Sequence, residues 1–168
     1  MKNIAFIDGQ NLHLGTAESG WKIDHVRLRV YLRDKYSVDE AYYFLGYISE
    51  DQQKLYNNLQ KSGFIVVFKE HNESLMGKKK GNVDTDIVFE MMKSLIEDDF
   101  DKVVLVSGDG DYKKVVDYLI KKGKFEKILF PNQKGASSLY KKMGNEFFVN
   151  LSQPGLKKKL RYKKEKGG

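Results

Sequence analysis

The sequence predicts an α/β domain: a three-layer α/β/α sandwich with a mainly parallel central sheet. Two observations predict this class. Short apolar runs alternate with amphipathic segments along the chain, and the first run, residues 4–7, is apolar throughout, as in strands buried on both faces. Strict alternation of strand and helix implies right-handed crossovers, and therefore parallel strands between layers of helices. At 168 residues the chain is long enough for one domain with a sizeable core.

The elements follow from these patterns in chain order. Apolar runs predict strands over residues 3–8, 40–48, 64–69, 102–107, 126–130 and 147–149. Helical periodicity predicts helices over residues 24–36, 51–62, 84–97, 111–123 and 136–143. Gly63, Gly123 and Gly144 stand where three of these helices should stop. The polar stretch 70–83 is predicted to be a functional loop, because long loops inside a compact domain often carry a binding or catalytic role.

The amino-acid composition excludes some kinds of catalytic chemistry and indicates the cellular compartment. The chain has no cysteine, which excludes thiolate catalysis and cysteine-based zinc sites and fits a reducing compartment. No apolar stretch approaches the roughly 18 residues of a membrane helix. We therefore expect a cytoplasmic protein with no membrane partner.

Positive charge is concentrated at the end of the chain. The formal net charge is +7, and residues 157–166 contain seven Lys or Arg against one Glu, so the rest is nearly neutral. We predict a domain over residues 1–151 and a basic C-terminal tail over residues 152–168. Such a tail either contacts nucleic acid or serves as a solubility segment, and composition alone leaves both readings open.

Acids follow two of the predicted strands. The first strand ends on Asp8, and residues 9–11 after it are placed in a loop. In "VVLVSGDGDY" a buried strand ends at Ser107, and the chain then presents Asp109 and Asp111. The carboxyl ends of parallel strands share one edge, where open α/β sheets bind ligands. Each acid could instead cap a turn or a helix.

A third pair of acids, Asp84 and Asp86, stands at the start of a predicted helix, where the helix dipole also favours negative charge. Glu90 lies four residues after Asp86 on the same helix face. Neighbouring acids repel unless a cation neutralises them, and carboxylates are hard ligands that suit Mg²⁺ or Mn²⁺ better than zinc. The predicted metal ligands are five aspartates: Asp8, Asp84, Asp86, Asp109 and Asp111.

Three segments carry a resemblance to a known family. In order and separation, "FIDGQNL", "KGNVDTDIVFEMM" and "LVSGDGDY" resemble the signature segments of NYN domains, the LabA-like branch of the PIN-like nuclease superfamily. The resemblance covers roughly residues 1–151. It implies a PIN-like, Rossmann-like fold and a Mg²⁺- or Mn²⁺-dependent ribonuclease. Such an enzyme hydrolyses RNA phosphodiester bonds by metal-activated water in an acidic pocket.

Residue roles come with this resemblance, position by position. It implies catalytic roles for four of the aspartates, with Asp86 in support: Asp8, Asp84, Asp109 and Asp111. It also implies polar contacts to metal, water or phosphate from Asn11 and Ser107. Lys78, Lys79 and Lys80, together with the tail, would contact the RNA backbone by neutralising phosphates.

Two other function classes are weighed against the nuclease. An RNA-binding or regulatory module of the same fold, with little or no nuclease activity, has no reason to tolerate the repulsion of so many acids. Asp84-Thr85-Asp86 also suggests a phosphatase of the haloacid dehalogenase type, but that family needs its motif at the end of a buried strand, and residues 78–83 are rich in Lys and Gly. The expected partner is RNA, single-stranded or structured, and a homodimer is left open.

Overall fold

A six-stranded sheet forms the centre of the molecule. The computed structural model describes residues 1–69, 83–97 and 100–164. Its strands are β1 (Asn3–Asp8), β2 (Val38–Leu45), β3 (Ile65–Phe68), β4 (Val103–Val106), β5 (Phe125–Phe130) and β6 (Phe148–Asn150). The strand order is β3-β2-β1-β4-β5-β6, and every neighbouring pair is parallel. This is the order of Rossmann-like doubly wound sheets and confirms the predicted α/β class.

Helices connect the strands. Within the described residues the α-helices are α1 (Gly9–Glu18), α2 (His25–Tyr36), α3 (Gln53–Lys61), α4 (Asp84–Glu97), α5 (Lys113–Lys121) and α6 (Pro154–Leu160). The predicted helix over 136–143 is instead a short 3-10 helix, Ser138–Lys142. Across the part of the chain that the structure describes, no helix is both long and apolar enough to cross a bilayer.

The side chains of β1 alternate between two cores, one on each face of the sheet. Ala5 and Ile7 belong to one core, and Ile4 and Phe6 belong to the other. The first core contains buried residues of α1, α2, α3 and α6: Leu12, Leu28, Leu59 and Leu160. The second contains buried residues of α4 and α5: Ile87, Met91, Val116 and Leu119. These two layers around the sheet confirm the predicted three-layer sandwich.

Residues 9–11 begin helix α1 and do not form the predicted loop. Asp8 is the N-cap, and its side chain accepts a hydrogen bond from the Asn11 N–H at 3.2 Å. The buried residues of α1 are Gly9, Leu12 and Thr16. Because this set contains a single large apolar side chain, the segment lacks the apolar stripe by which a helix is recognised in a sequence.

The start of the predicted basic tail is folded. Helix α6 packs on the domain through Leu160, which is completely buried. The N–H of Asp24 donates to the Leu160 carbonyl at 2.8 Å, and the N–H of Tyr162 donates to the Lys22 carbonyl at 2.7 Å. This differs from the predicted appendage, because one leucine and two backbone hydrogen bonds anchor a segment whose composition is otherwise basic.

Candidate metal centre

An acidic pocket lies at the carboxyl edge of the sheet, where β1 and β4 are neighbours. From β1 the strand order continues to β2 and β3 on one side, and the chain then returns to β4 on the other side. Such a reversal leaves a crevice between the segments that follow the two strands. Asp8 is the last residue of β1, and Asp109 follows shortly after β4.

Three carboxylates meet in this crevice. Asp8, Asp84 and Asp109 each offer an oxygen, and these oxygens all lie within 4.8 Å of one another. Asp84 is the first residue of α4, so the three acids come from three different elements. Asp8 is buried and the other two are half-buried. The pocket has a volume of about 240 Å³ and is also lined by Gln10, Asn11, Leu14 and Val83.

The hydroxyl of Tyr112 lies between two of these acids. It is 3.1 Å from Asp8 Oδ2 and 2.8 Å from Asp84 Oδ1, and the residue is completely buried. A hydroxyl has one hydrogen, so it donates to one carboxylate at a time. The Tyr112 hydroxyl therefore lies within hydrogen-bonding distance of both carboxylates. It is absent from the predicted site, although it directly follows the acid pair in "SGDGDY" and carries a hydroxyl that such acids need.

Burial and like charge raise the pKa values of two of the acids. Desolvation raises the pKa of Asp8, against hydrogen bonds from Asn11 and Tyr112 that lower it. Desolvation is also the main reason that the pKa of Asp84 is raised to about 6, and the charges of Asp109 and Asp8 raise it further. The pocket thus favours the uptake of a proton or a cation near neutral pH.

Hydrogen bonds fix the backbone that carries Asp109. Its Oδ1 accepts from the Asp111 N–H at 2.9 Å and so caps the 3-10 helix Gly110–Tyr112. Its own N–H donates to Ser107 Oγ at 3.1 Å, and its carbonyl accepts from the Tyr140 hydroxyl at 2.6 Å. A carboxylate has two oxygens with several acceptor positions, so capping and metal binding are compatible in one residue.

Asn11 and Ser107, the predicted polar contacts, both support the pocket. Asn11 lines it, and Asn11 Oδ1 accepts from the Gly108 N–H at 2.8 Å, which ties α1 to the loop after β4. Ser107 is completely buried, accepts a hydrogen bond from the Asp109 N–H, and lowers the pKa of Asp8. Ser107 therefore supports Asp109 through its backbone N–H and is not among the residues that line the pocket.

The other predicted residues lie beside the cluster or outside the described chain. Asp111 is exposed and is not among the residues that line the pocket, although its carboxyl contributes to the raised pKa of Asp84. Asp86 is not among the three acids whose oxygens meet, because two residues further along a helix a side chain points to another face. The three predicted lysine contacts lie outside the described residues: Lys78, Lys79 and Lys80.

Gly9 allows α1 to begin directly against β2. A Cβ at this position would lie 2.7 Å from the Phe44 carbonyl oxygen and 2.6 Å from a ring carbon of Tyr43. Both contacts are far shorter than van der Waals distance, and the first is to backbone, which cannot move without shifting the strand. Glycine after Asp8 therefore lets the chain turn from strand to helix within one residue and brings the Asn11 N–H to the acid.

The donor set fits a hard divalent cation. Among the described residues that line the pocket, the anionic groups are all carboxylates. Mg²⁺ and Mn²⁺ are bound in proteins by a few carboxylates together with water, and the pocket volume of about 240 Å³ leaves room for water beside an ion. Burial and the neighbouring carboxylates raise the pKa of Asp84, which is the electrostatic setting that a bound cation would relieve.

Fold and site together define a Rossmann-like parallel α/β domain whose three carboxylates, at the reversal of strand order, could bind a metal ion. The chain belongs to the NYN domain family, whose model matches residues 3–151. The predicted resemblance is thereby confirmed. NYN domains are generally nucleases, so membership of the family suggests a PIN-like, RNase-type domain.

Two relatives support this assignment. The chain is 29% identical over 123 residues to the Low amplitude and bright protein LabA of Synechococcus elongatus, covering 68% of this chain. The match spans 65% of that curated relative's length. The crystal structure of a protein of unknown function from Vibrio parahaemolyticus superposes with a TM-score of 0.76 at 23% identity, over 89% of this chain and 92% of that one, which supports the fold.

Proposed function

We propose that this chain is a Mg²⁺- or Mn²⁺-dependent ribonuclease that hydrolyses RNA phosphodiester bonds. The observation that carries the proposal is the convergence of Asp8, Asp84 and Asp109 within 4.8 Å, in a family that generally cleaves nucleic acid. Mutual repulsion of these acids is unfavourable for folding, so a purely structural role does not explain their convergence. When bound, a divalent ion neutralises the phosphodiester charge and activates water as the nucleophile.

The residues of the chain have distinct roles in this proposal. Asp8, Asp84 and Asp109 would hold the ion, from three elements whose relative positions are set by the two cores. Tyr112 orients Asp8 and Asp84 through its shared hydroxyl. Asp111 is exposed two residues after Asp109 and would act as a further, supporting carboxylate of the catalytic group.

The substrate follows from the distribution of charge. A pocket lined by carboxylates repels a polyanion, so attraction for RNA must come from positive charge elsewhere on the surface. Residues 152–164 contain six Lys or Arg and no acid. We propose RNA as the partner, with the three lysines at positions 78–80 as further contacts. The absence of cysteine is consistent with action in the cytoplasm.

Cleavage of labelled single-stranded RNA by the purified chain tests the proposal. We expect cleavage with Mn²⁺ or Mg²⁺ and none with EDTA. Asp8→Asn and Asp109→Asn should each reduce the rate by orders of magnitude, because each removes a proposed ligand. Asp39→Asn is the matched control, since Asp39 is exposed and far from the pocket lining.

The outcomes separate the candidate functions. Cleavage that is equal in the wild type, in Asp8→Asn and in Asp109→Asn would contradict the assignment and point to a contaminant. RNA binding without cleavage under any of the metal conditions would favour the RNA-binding module. Hydrolysis of a small phosphomonoester with no action on RNA would favour a phosphatase.

A further inference from the structure

A second pocket, which we call the basic cleft, lies where the connection between α1 and α2 meets the segment after α6. It has a volume of about 430 Å³ and is lined by Gly20, Trp21, Lys22, Arg161, Tyr162, Lys163 and Lys164. The four cationic residues of this lining are exposed, and no acid is among the residues up to 164 that line the cleft. The cleft is therefore a concave surface lined by cationic and aromatic side chains.

Backbone pairing holds the two walls of the cleft together. Ile23 and Arg161 form an antiparallel β-bridge, and the Tyr162 N–H donates to the Lys22 carbonyl at 2.7 Å. Leu160, directly before this bridge, is completely buried. The β-bridge and its flanking backbone hydrogen bonds therefore hold the segments of Lys22 and Tyr162 side by side, so the two walls of the cleft are joined by backbone pairing.

Positive charge in the cleft is not neutralised within the described chain. Among the described residues, the ion pairs with carboxylates involve other cations, and Lys22 and Arg161 are in none of them. The Lys22 ammonium lies 5.2 Å from the centroid of the Tyr162 ring, and Tyr162 is 51% exposed. Exposed aromatic rings beside cations are the combination that binds single-stranded nucleic acid, since bases stack and phosphates are neutralised.

The basic cleft and the acidic pocket lie along the same edge of the sheet. Helix α1 starts directly after its N-cap Asp8 and crosses this edge towards β5, where the Asn132 side chain donates to the Gly15 carbonyl at 2.6 Å. Trp21, just after α1, donates to Ser152 Oγ at 2.8 Å, beyond the end of β6. Ten residues of helix span roughly 15 Å, which equals about four nucleotides of stacked strand.

We propose that the basic cleft is a subsite for single-stranded RNA, which stacks a base on Tyr162 and neutralises phosphates with Lys22, Arg161 and its lysine neighbours. It holds the strand about four nucleotides from the bond in the acidic pocket. This proposal rests on the proposed ribonuclease function and deepens it. One wall of the cleft lies after residue 151, where the family match ends, and the other wall lies within it.

Equilibrium binding in EDTA tests the subsite without cleavage. The probe is a fluorescein-labelled oligouridylate of about twelve nucleotides, three times the expected span. We expect Tyr162→Ala to weaken binding about five-fold or more, the low end of what one stacked base contributes. Arg161→Ala should flatten the slope of log affinity against log salt by about 0.7. Lys121→Ala, an exposed lysine at the end of α5, is the matched control and should bind as wild type.

Kinetics with Mn²⁺ provide a second readout. For the long oligouridylate, the cleft variants should raise KM with kcat unchanged, whereas turnover of a tetranucleotide should not change, because it is too short to reach the cleft. Tyr162→Phe retains the ring and should bind as wild type. A loss as large as that of Tyr162→Ala would overturn the stacking role.

These experiments distinguish a failure of the proposed RNA subsite from a failure of the proposed ribonuclease function. Wild-type affinity and salt slope in both Tyr162→Ala and Arg161→Ala, and also in a Lys22→Ala/Lys163→Ala double variant, would overturn the subsite even if the chain cleaves RNA. Cleft-dependent binding by a wild-type protein that cleaves no RNA would overturn the ribonuclease and support the cleft as an RNA site. Unchanged RNA affinity with reduced binding to phosphatidylserine vesicles would overturn the subsite in favour of a membrane surface.

Discussion

At the scale of single residues, the acidic centre is a set of partly buried carboxylates within 4.8 Å of one another. Tyr112 supplies one hydrogen to two acids, Asp8 and Asp84, and the Asn11 N–H supplies another to Asp8. These donors do not offset the desolvation of Asp84, whose pKa is raised to about 6. The centre therefore favours proton uptake as pH falls towards 6, and its three carboxylates could bind a metal ion at neutral pH.

The raised pKa of Asp84 predicts an unusual pH dependence of stability. Between the ordinary value of 3.8 and about 6, the folded state binds more protons at Asp84 than the unfolded state, so its contribution to the free energy of unfolding increases as pH falls. In EDTA, Asp84→Asn should therefore raise the thermal midpoint at neutral pH, and its advantage over wild type should disappear below about pH 4.

The thermal midpoints of both proteins across this pH range measure the effect. His25, whose pKa is lowered to about 4 by burial, acts in the opposite sense, because its protonation below the ordinary value of 6.5 favours the unfolded state. That contribution is common to both proteins and cancels in their difference. A midpoint of Asp84→Asn that lies below wild type at neutral pH would contradict the predicted repulsion.

At the scale of elements, α6 shows how a few apolar contacts fold a basic segment. Leu160 is completely buried in the core that α2 shares, whereas Leu156 is only partly buried. We expect Leu160→Ala to lower the free energy of unfolding by about 2–5 kcal/mol, the usual range for a buried leucine. Urea denaturation measures this, and Leu156→Ala is the matched control with a smaller loss.

The same variant tests whether residues 152–168 belong to the folded domain or form a separate tail. If Leu160→Ala left the free energy of unfolding at the wild-type value, α6 would not contribute to the domain, and residues 152–168 would act as the separate tail that composition suggests. Truncation after Gln153 is expected to destabilise at least as much as Leu160→Ala, since it also removes the backbone hydrogen bonds to Lys22 and Asp24.

At the scale of the whole molecule, acidic and basic surfaces are segregated along one edge of the sheet. The acidic pocket opens at the start of α1, and the basic cleft follows its end. With a formal net charge of +7, the basic surface favours the approach of a polyanion, and under the proposed function a bound cation would reverse the charge of the pocket.

Metal binding should therefore stabilise the whole fold. An ion that binds only the folded state at a hundred times its dissociation constant adds about 2.7 kcal/mol, which raises the thermal midpoint of a domain of this size by roughly 5–10 °C. We expect this rise with millimolar Mg²⁺ or Mn²⁺, a blunted rise in Asp84→Asn, and a full rise in Asp39→Asn. Calorimetry at constant ionic strength measures it, and a wild-type midpoint unmoved by either ion would argue against a metal site.

Buried strands explain why the fold class could be predicted. Residues 4–7 and Val103–Val106 are covered on both faces, so their apolar runs are continuous and easily recognised. Strand ends were less accurate: β2 is Val38–Leu45 where 40–48 is predicted, because its start is set by pairing with β1, beginning at Asn3 and Val38. Helix α1 was missed, since its contacts are made by a glycine, a threonine and one leucine.

The site could be predicted in part for a related reason. Asp8 and Asp109 follow strands that must be parallel, so the pattern alone places both at one edge. Which acids of α4 join them depends on the rotation of that helix, and burial of Ile87 and Met91 directs Asp84, not Asp86, to the pocket. The shared hydroxyl of Tyr112 likewise depends on packing and has no counterpart in residue spacing.

The sequence by itself thus determined the class of fold, the family and the presence of an acidic edge, because these follow from local patterns of burial and from short motifs. Tertiary structure alone decided which three acids meet and where the basic segment lies. "LKKKLRYKK" specifies positive charge, but the basic cleft exists because Leu160 is buried and Tyr162 pairs with Lys22, residues far apart in the chain. Contacts of that kind depend on how complete layers pack, which no local pattern encodes.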